Sequence, residues 1–316
     1  MTIDNKKIIP IFFATDDNYV PFVAVAMKSL LDNASKEYFY NIHILTDDGI
    51  PEKHVEMLKA NMTPNSKLII DEVDPFIQTI ENNLNMSLRD YYTISIFYRL
   101  FISELYPDYH KAIYLDCDIV VPGDISEMYN IDTEGNIFGA IVDDVIASNP
   151  DFRVYAREGV GVDDDKYFNS GVLLMDLDKY REEDILNRFI SLLTTYNFET
   201  AAPDQDYLNA LCKDKIKYLD KSWDLMPVGN DYTGEINLIH YNNFRKPWSY
   251  DDVPYGDVFW KYAEQTNFYE DILKIKNSFT PEMAEKHIQG AIGLVEQTKR
   301  IVNSDINFKK VLFDKK

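Results

Sequence analysis

The octapeptide YLDCDIVV, residues 114–121, places two carboxylates, Asp116 and Asp118, one residue apart inside an apolar run. On one strand face they would stand about 6.5–7 Å apart along the chain; where a strand ends, both can turn toward one centre. Two carboxylates this close repel each other. A hard divalent cation relieves the repulsion, because it takes one or two protein carboxylates together with substrate phosphates. A solvated acidic strand end is the plainer reading, but the apolar flanks put the pair at the end of a buried element. Other acids fall at comparable places: Asp16 and Asp17 follow IIPIFFAT, and Asp143 and Asp144 follow IFGAIV. Asp204-Gln205-Asp206 opens a helix after Pro203, where a carboxylate also complements the helix dipole.

The elements that must position these residues are readable from hydrophobic periodicity. IIPIFFAT (8–15) is a continuous apolar run of the buried-strand kind, and Pro21 opens an amphipathic helix with Val20, Ala24, Met27 and Leu31 on one face. NIHILTDD (41–48) alternates as a strand, Pro51 starts a helix with Val55 and Leu58, and KLIIDEVD (67–74) is another strand. Ile94, Phe97, Phe101 and Leu105 mark a helix at 94–105; strands at KAIYLDCDIVV, IFGAIVD and NSGVLLMDL follow. This alternation predicts an α/β domain with a mostly parallel sheet flanked by helices. Ligands of such sheets bind beyond the carboxyl ends of the strands, where the aspartates converge. Residues 220–260, rich in Trp, Tyr, Asn and Asp, read as a folded-over loop region. Thr280 caps a helix with Pro281 in its first turn and a stripe of Ala284, Ile288, Ala291, Val295 and Val302. Packing on the domain is favoured for it over pairing with a second copy in a homo-oligomer or leaning on a membrane.

A chain of 316 residues, 46% hydrophobic, suits one large domain or one domain with an appendage. Its 53 acidic and 32 basic residues leave a formal charge of −21, which repels phosphate backbones and argues against a nucleic-acid partner. Two cysteines, Cys117 and Cys212, make no disulfide framework, so a reducing, cytoplasmic setting is expected. No apolar leader and no run of about 18 apolar residues is present. The terminal NFKKVLFDKK mixes Lys with Phe and Leu, a weak signal for peripheral membrane contact.

Strand-D-x-D-x-V resembles the nucleophile motif of haloacid-dehalogenase-type phosphatases, with Asp116 attacking phosphorus and Asp118 as acid. That family places the strand near the start of its core, whereas three βα units precede it here. A wider resemblance competes with it. FFATDDNY (12–19), SIFYRLFISEL (95–105), YLDCDIVV (114–121), YFNSGVLLMDL (167–177), PDQDYLNAL (203–211) and IHYNNFRKPW (239–248) together resemble family 8 of the retaining glycosyltransferases. That group contains glycogenin and the bacterial lipopolysaccharide galactosyl- and glucosyltransferases. The stretches keep the family's order, and the likeness ends near residue 265.

The resemblance implies a GT-A fold: a Rossmann-like nucleotide half (1–125) merged with an acceptor half (126–265), then a C-terminal helical extension (266–316). It implies a UDP-sugar donor, a saccharide acceptor, retention of anomeric configuration and a divalent ion, usually Mn²⁺, with Mg²⁺ as the alternative. By motif position, Asp116, Asp118 and His240 would ligate the ion, with Cys117 between the acids, and Lys246 would contact the diphosphate. An imidazole ligand favours a transition ion. Ala14, Thr15, Asp16, Asn18 and Tyr19 would hold uridine, and Arg99 would reach the donor. Asp143, Asn169, Asp204 and Gln205 would form the sugar pocket; Asp204, Gln205 and Lys246 are the residues expected to act in catalysis. Asn18 serves equally well as a helix cap. Segments 78–92 and 145–166 are expected to be loops that shape the acceptor site. A nucleotide-sugar-binding protein without turnover stays open beside the transferase.

Overall fold

Residues 1–47, 49–73, 94–228 and 232–314 are described by the computed structural model of the chain. The segment 78–92 therefore lies outside the described residues. Ten strands are found among them: β1 (Thr2–Ile3), β2 (Lys6–Ala14), β3 (Tyr38–Thr46), β4 (Ser66–Glu72), β5 (Lys111–Leu115), β6 (Ile119–Val120), β7 (Phe138–Ala140), β8 (Val172–Asp176), β9 (Ile216–Tyr218) and β10 (Ile239–His240). Seven form the path β4-β3-β2-β5-β8-β7-β9, with β1 added to β2, while β6 and β10 make a separate ribbon. The β4, β3, β2 and β5 pairings are parallel, as is β7 with β9; β8 alone on this path runs antiparallel to both its neighbours.

Strand alternation splits the core in two, one half on each face of the sheet. Ile9, Ile11 and Phe13 of β2 and Ile113 and Leu115 of β5 belong to one cluster; Phe12, Ala14, Ala112 and Tyr114 belong to the other. Pairing of β2 with β5 begins only after Pro10, which has no N–H to give to a ladder.

Four expectations need correction. The helix Val20–Asn33 is buried nearly all round rather than on one stripe, because helices Gly256–Ala263 and Tyr269–Ser278 cover its outer side and Phe22 stacks on Trp248 with ring centroids 3.8 Å apart. The helix at 94–105 is a 3₁₀-helix over Ile94–Phe101 and α-helical only at Ile102–Leu105. A 3₁₀-helix aligns residues three apart, and Ile96 and Arg99 both face the same cavity. YLDCDIVV is not one strand: the chain leaves the main sheet after Leu115 and resumes pairing at Ile119 in the small ribbon. The stretch 145–166 is largely helical, through Asp144–Ser148, Pro150–Tyr155 and a π-turn at Ala156–Val160.

Asp206 does more than complement a helix dipole. Its fully buried carboxylate accepts from the hydroxyls of Tyr155 and Tyr167, both at 2.6 Å, and from the backbone N–H groups of Ala201 and Ala202, both at 3.0 Å. It thereby locks the helix Pro203–Leu211 to the segment 155–167. An amide would set an N–H₂ against donors, so Asp206→Asn is expected to lower unfolding free energy by about 2–3 kcal/mol, measured by urea denaturation. An unchanged urea midpoint would show that this network is not what holds the two segments together.

Candidate active site

Three strand ends open on one edge of the sheet. β2 runs out at Ala14, leading to Thr15 and Asp16, and β5 runs out at Leu115, leading to Asp116. Because β8 is reversed, its beginning, not its end, lies at this edge, and it brings Asn169, Ser170 and Gly171 beside Asp116. The backbone N–H of Asp116 donates to the Gly171 carbonyl at 2.7 Å. The ribbon then delivers a distant residue. His240 of β10 pairs in register with Ile119 of β6, and the N–H of Tyr241 donates to the carbonyl of Asp118 at 2.9 Å. That register sets the imidazole against the acidic pair.

Asp116, Asp118 and His240 each offer a ligand atom within 4.8 Å of the others. His240 Nε2 is 3.2 Å from Asp118 Oδ1 and 3.8 Å from Asp116 Oδ2, while its Nδ1 donates to Asp224 Oδ1 at 2.9 Å. Asp224 is fully buried and fixes which nitrogen faces the acids, the usual support of an imidazole ligand. Burial pushes Asp224 up to about 6, against the pull of His240. Burial works against the charged imidazole too, but the Asp118 and Asp224 carboxylates outweigh it and hold His240 well above its ordinary value. For Asp118, burial raises the pKa, and the charges of Lys246 and His240 more than reverse this, leaving it far below the usual carboxylate range. Two carboxylates and one oriented imidazole, converging within ligand distance, suit a divalent ion with mixed oxygen and nitrogen ligation.

Arg99 clamps the acids from behind. Its guanidinium lies over the Tyr114 ring at 4.2 Å, donates to Asp116 Oδ1 at 2.9 Å and to the Ser170 carbonyl at 2.5 Å, and meets Asp204 Oδ2 at 3.1 Å. Its Nε also donates to the Ile96 carbonyl. Asp204 is buried and receives the Ser170 hydroxyl at 2.8 Å; burial raises its pKa more than Arg99 lowers it. Gln205 accepts from the Ser170 N–H and donates to Asp143 Oδ2 at 3.0 Å, as Asn169 also does. The other oxygen of Asp143 caps the helix Asp144–Ser148 through two backbone N–H groups. Asp143 is thus saturated; its place is to orient the amides of Asn169 and Gln205. Lys246 donates to Asp118 and to the Tyr241 carbonyl.

Asp116, Asp118, His240, Arg99, Asp204, Gln205 and Lys246 line one cavity of about 260 Å³, with Asp224 buried behind it. Of the residues expected from sequence, Ala14, Thr15, Asp16, Tyr19, Arg99, Asp116, Cys117, Asp118, Asp143, Asn169, Asp204, Gln205, His240 and Lys246 border it. Asn18 does not: it is exposed and outside the lining. Asp17 also turns away, toward His54 Nδ1 at 2.7 Å. Cys117 is buried and donates its Sγ to the Ala14 carbonyl, tying the acidic motif to the end of β2. Reading the sequence missed Ser170, Tyr114 and Asp224. Ser170 and Tyr114 sit inside quoted motifs and could have been suspected; Asp224 has no local signal, because only the backbone bridge between Leu225 and β10 brings it behind His240.

The sequence profile described as glycosyl transferase family 8 matches residues 10–252. The chain belongs to that family. Among similar proteins, a lipopolysaccharide 1,2-glucosyltransferase of Escherichia coli is 27% identical over 271 residues, covering 78% of this chain and 75% of its own length. Glycosyltransferase GlyB of Streptococcus pneumoniae is 28% identical over 276 residues, covering 80% of this chain and 61% of the relative, so the chain spans less than two thirds of that protein. A crystal structure of the galactosyltransferase LgtC with donor and acceptor sugar analogues aligns with a TM-score of 0.68 at 26% identity, covering 82% of this chain and 96% of LgtC. The protein is a glycosyltransferase with the GT-A fold. Family membership does not favour the dehalogenase-type phosphatase or the binding protein without turnover.

Gly171 explains the tight packing of the centre. A Cβ there would stand 2.4 Å from Asp116 Oδ2 and 2.5 Å from His240 Cε1. Gly171→Ala is therefore expected to push the acid and the imidazole apart and to weaken Mn²⁺ binding at least about tenfold, and Asp224→Asn is expected to weaken it about tenfold, both titrated by electron paramagnetic resonance of free Mn²⁺. Native affinity in both variants would mean that these three side chains are not the ion's ligands.

Proposed function

We propose that the protein is a metal-dependent retaining hexosyltransferase that moves glucose or galactose from a UDP-sugar to a saccharide acceptor. The observation that carries this reading is the approach of Asp116, Asp118 and His240 to within 4.8 Å of one another, in a cavity that also holds Arg99, Asp204, Gln205 and Lys246. That the E. coli relative is a glucosyltransferase and LgtC a galactosyltransferase supports the choice of hexoses.

Asp116, Asp118 and His240 would hold a divalent ion such as Mn²⁺ or Mg²⁺, which would supply Lewis-acid neutralisation of the diphosphate when the bond from the sugar C1 to UDP breaks. Lys246, at the edge of the same carboxylates, gives the departing diphosphate a cationic partner. Tyr19, partly exposed, and Ala14–Asp16 line the cavity and would receive the base. Asn169 and Gln205 present amides to the sugar hydroxyls, their orientation set by Asp143. Asp204, anchored by Arg99 and Ser170, sets a negative charge on the sugar side of the cavity, which favours an oxocarbenium-like state. Retention then follows from same-face attack, with the leaving phosphate drawing the acceptor proton, so no protein nucleophile is needed. The same cavity draws on residues below and above 125, consistent with a nucleotide half and an acceptor half sharing one cleft.

UDP with Mn²⁺ is expected to raise the melting temperature by several degrees; ligand at a hundredfold excess over Kd adds about 2.7 kcal/mol. UDP-glucose or UDP-galactose is expected to release UDP slowly without acceptor, and chelation is expected to stop it. Failure of both donors in the presence of Mn²⁺ overturns the reading. Asp204→Asn is expected to slow turnover roughly a hundredfold without trapping sugar on the protein; a glycosylated adduct in the mass spectrum would establish double displacement instead.

A further inference from the structure

The helix Pro281–Asn303 lies beyond the family-matched residues 10–252, yet it reaches the cavity. Its C-terminal half is fastened to the acceptor side: Gln297 donates to the Thr200 carbonyl at 2.9 Å, Arg300 pairs with Glu199 at 2.7 Å, and Ile301 is buried. Earlier in the helix, His287 accepts or donates to the Tyr250 hydroxyl at 3.0 Å and lies 5.4 Å from the Phe244 ring. Phe244 and Tyr250 bracket Lys246 in the chain. One helix thus spans from the segment that carries Lys246 to the wall built by 144–160.

Leu294 follows His287 by seven residues, two helical turns and about 10 Å, and so lies on the same face. It borders the cavity together with Val145, Ile146, Phe152 and Phe244. Val145 and Leu294, both partly buried, pack against the core cluster that contains Ile146 and Phe152. The polar groups of the cavity come from the strand ends (Asp16, Asp116, Asp118, Asn169), from the helix Pro203–Leu211 (Asp204, Gln205) and from the loop after His240 (Asn242, Lys246). Among the described lining residues, the two permanent cations, Arg99 and Lys246, are both ion-paired with the site's own carboxylates. An acceptor entering past this rim meets apolar carbon and finds no unpaired cation among them.

We propose that the helix Pro281–Asn303 completes the acceptor subsite, and that Leu294 and its apolar neighbours select a neutral glycoside whose sugar carries an apolar aglycone. This rests on the transferase reading above. The acceptor hydroxyl would point inward toward Asp204 and Gln205, and the aglycone would lie outward along the helix. Apolar contact discriminates by area, so a chain of several methylenes gains over a methyl group.

The test compares octyl and methyl β-glucosides and β-galactosides as acceptors, with UDP-glucose or UDP-galactose and Mn²⁺ and the full chain. The octyl glycoside of the sugar used is expected to exceed the methyl one in kcat/KM by at least about tenfold, carried by KM, the equivalent of about 1.4 kcal/mol. Leu294→Asp is expected to reduce that ratio below about threefold and Leu294→Ala to lower it less, whereas Ile292→Asp, on the exposed side of the helix, keeps it. Equal use of octyl and methyl glycosides, transfer to neither while the donor is still cleaved, or a ratio that survives Leu294→Asp and Leu294→Ala would each overturn the inference alone. Loss of donor cleavage in the native protein would remove the transferase reading with it.

Discussion

The site is organised by repulsion between carboxylates. Asp116 and Asp118 are drawn toward one point, with Asp204 and the buried Asp224 close behind. Burying like charges this way is costly unless each finds a compensating partner. The fold provides them by position: Arg99 between Asp116 and Asp204, Lys246 on Asp118, His240 between the acidic pair and Asp224. These partners come from a 3₁₀-helix, a C-terminal loop and a two-residue strand, far apart in the chain. Tertiary structure here exists in large part to bring counter-charges to one pair of acids. Carboxylates still outnumber cations around the cavity, a net negative charge that a divalent cation would offset.

Backbone direction does as much as charge. In an all-parallel sheet, the start of β8 would lie at the far edge, and Asn169, Ser170 and Gly171 could not meet Asp116. Reversing one strand places its N-terminal end among C-terminal ends. The ribbon of β6 and β10 has only two residues per strand, yet it decides where His240 points. Short antiparallel pieces thus do the positioning on a scaffold whose parallel strands supply the core.

The larger part of the scaffold could be read from the residues alone. Continuous apolar runs named β2 and β3, Pro and Thr positions named the helix starts, and order of motifs named the family. What escaped had physical causes. The helix Val20–Asn33 looks amphipathic in isolation, since periodicity cannot anticipate later helices covering its second face. YLDCDIVV reads as one strand because local propensity does not register a change of sheet. Asn18 sits in a motif next to Asp16 and Tyr19, but the turn into the helix sends it outward. Asp224 and Ser170 act through contacts with residues 16 and 71 positions away from one partner or another, a separation no local pattern encodes.

The two walls of the cleft are tied together twice. Asp206 joins the helix bearing Asp204 and Gln205 to Tyr155 and Tyr167 on the opposite segment, and the long C-terminal helix straps that segment to the Lys246 loop. The terminal residues extend this bracing: Phe308 is buried against Phe198 and Tyr207, and Phe313 covers Gly161, while Lys309 pairs with Glu158. Of the two tail aromatics, Phe308 is thus engaged by the protein itself while Phe313 stays 40% exposed, and among the described residues no helix is long and apolar enough to cross a membrane. A cavity whose polar groups bond mainly to one another needs such rigidity, because an amide held a fraction of an ångström off its partner loses the directionality of the hydrogen bond. The extension after the family-matched region therefore belongs to the architecture of the site as much as the strand ends do.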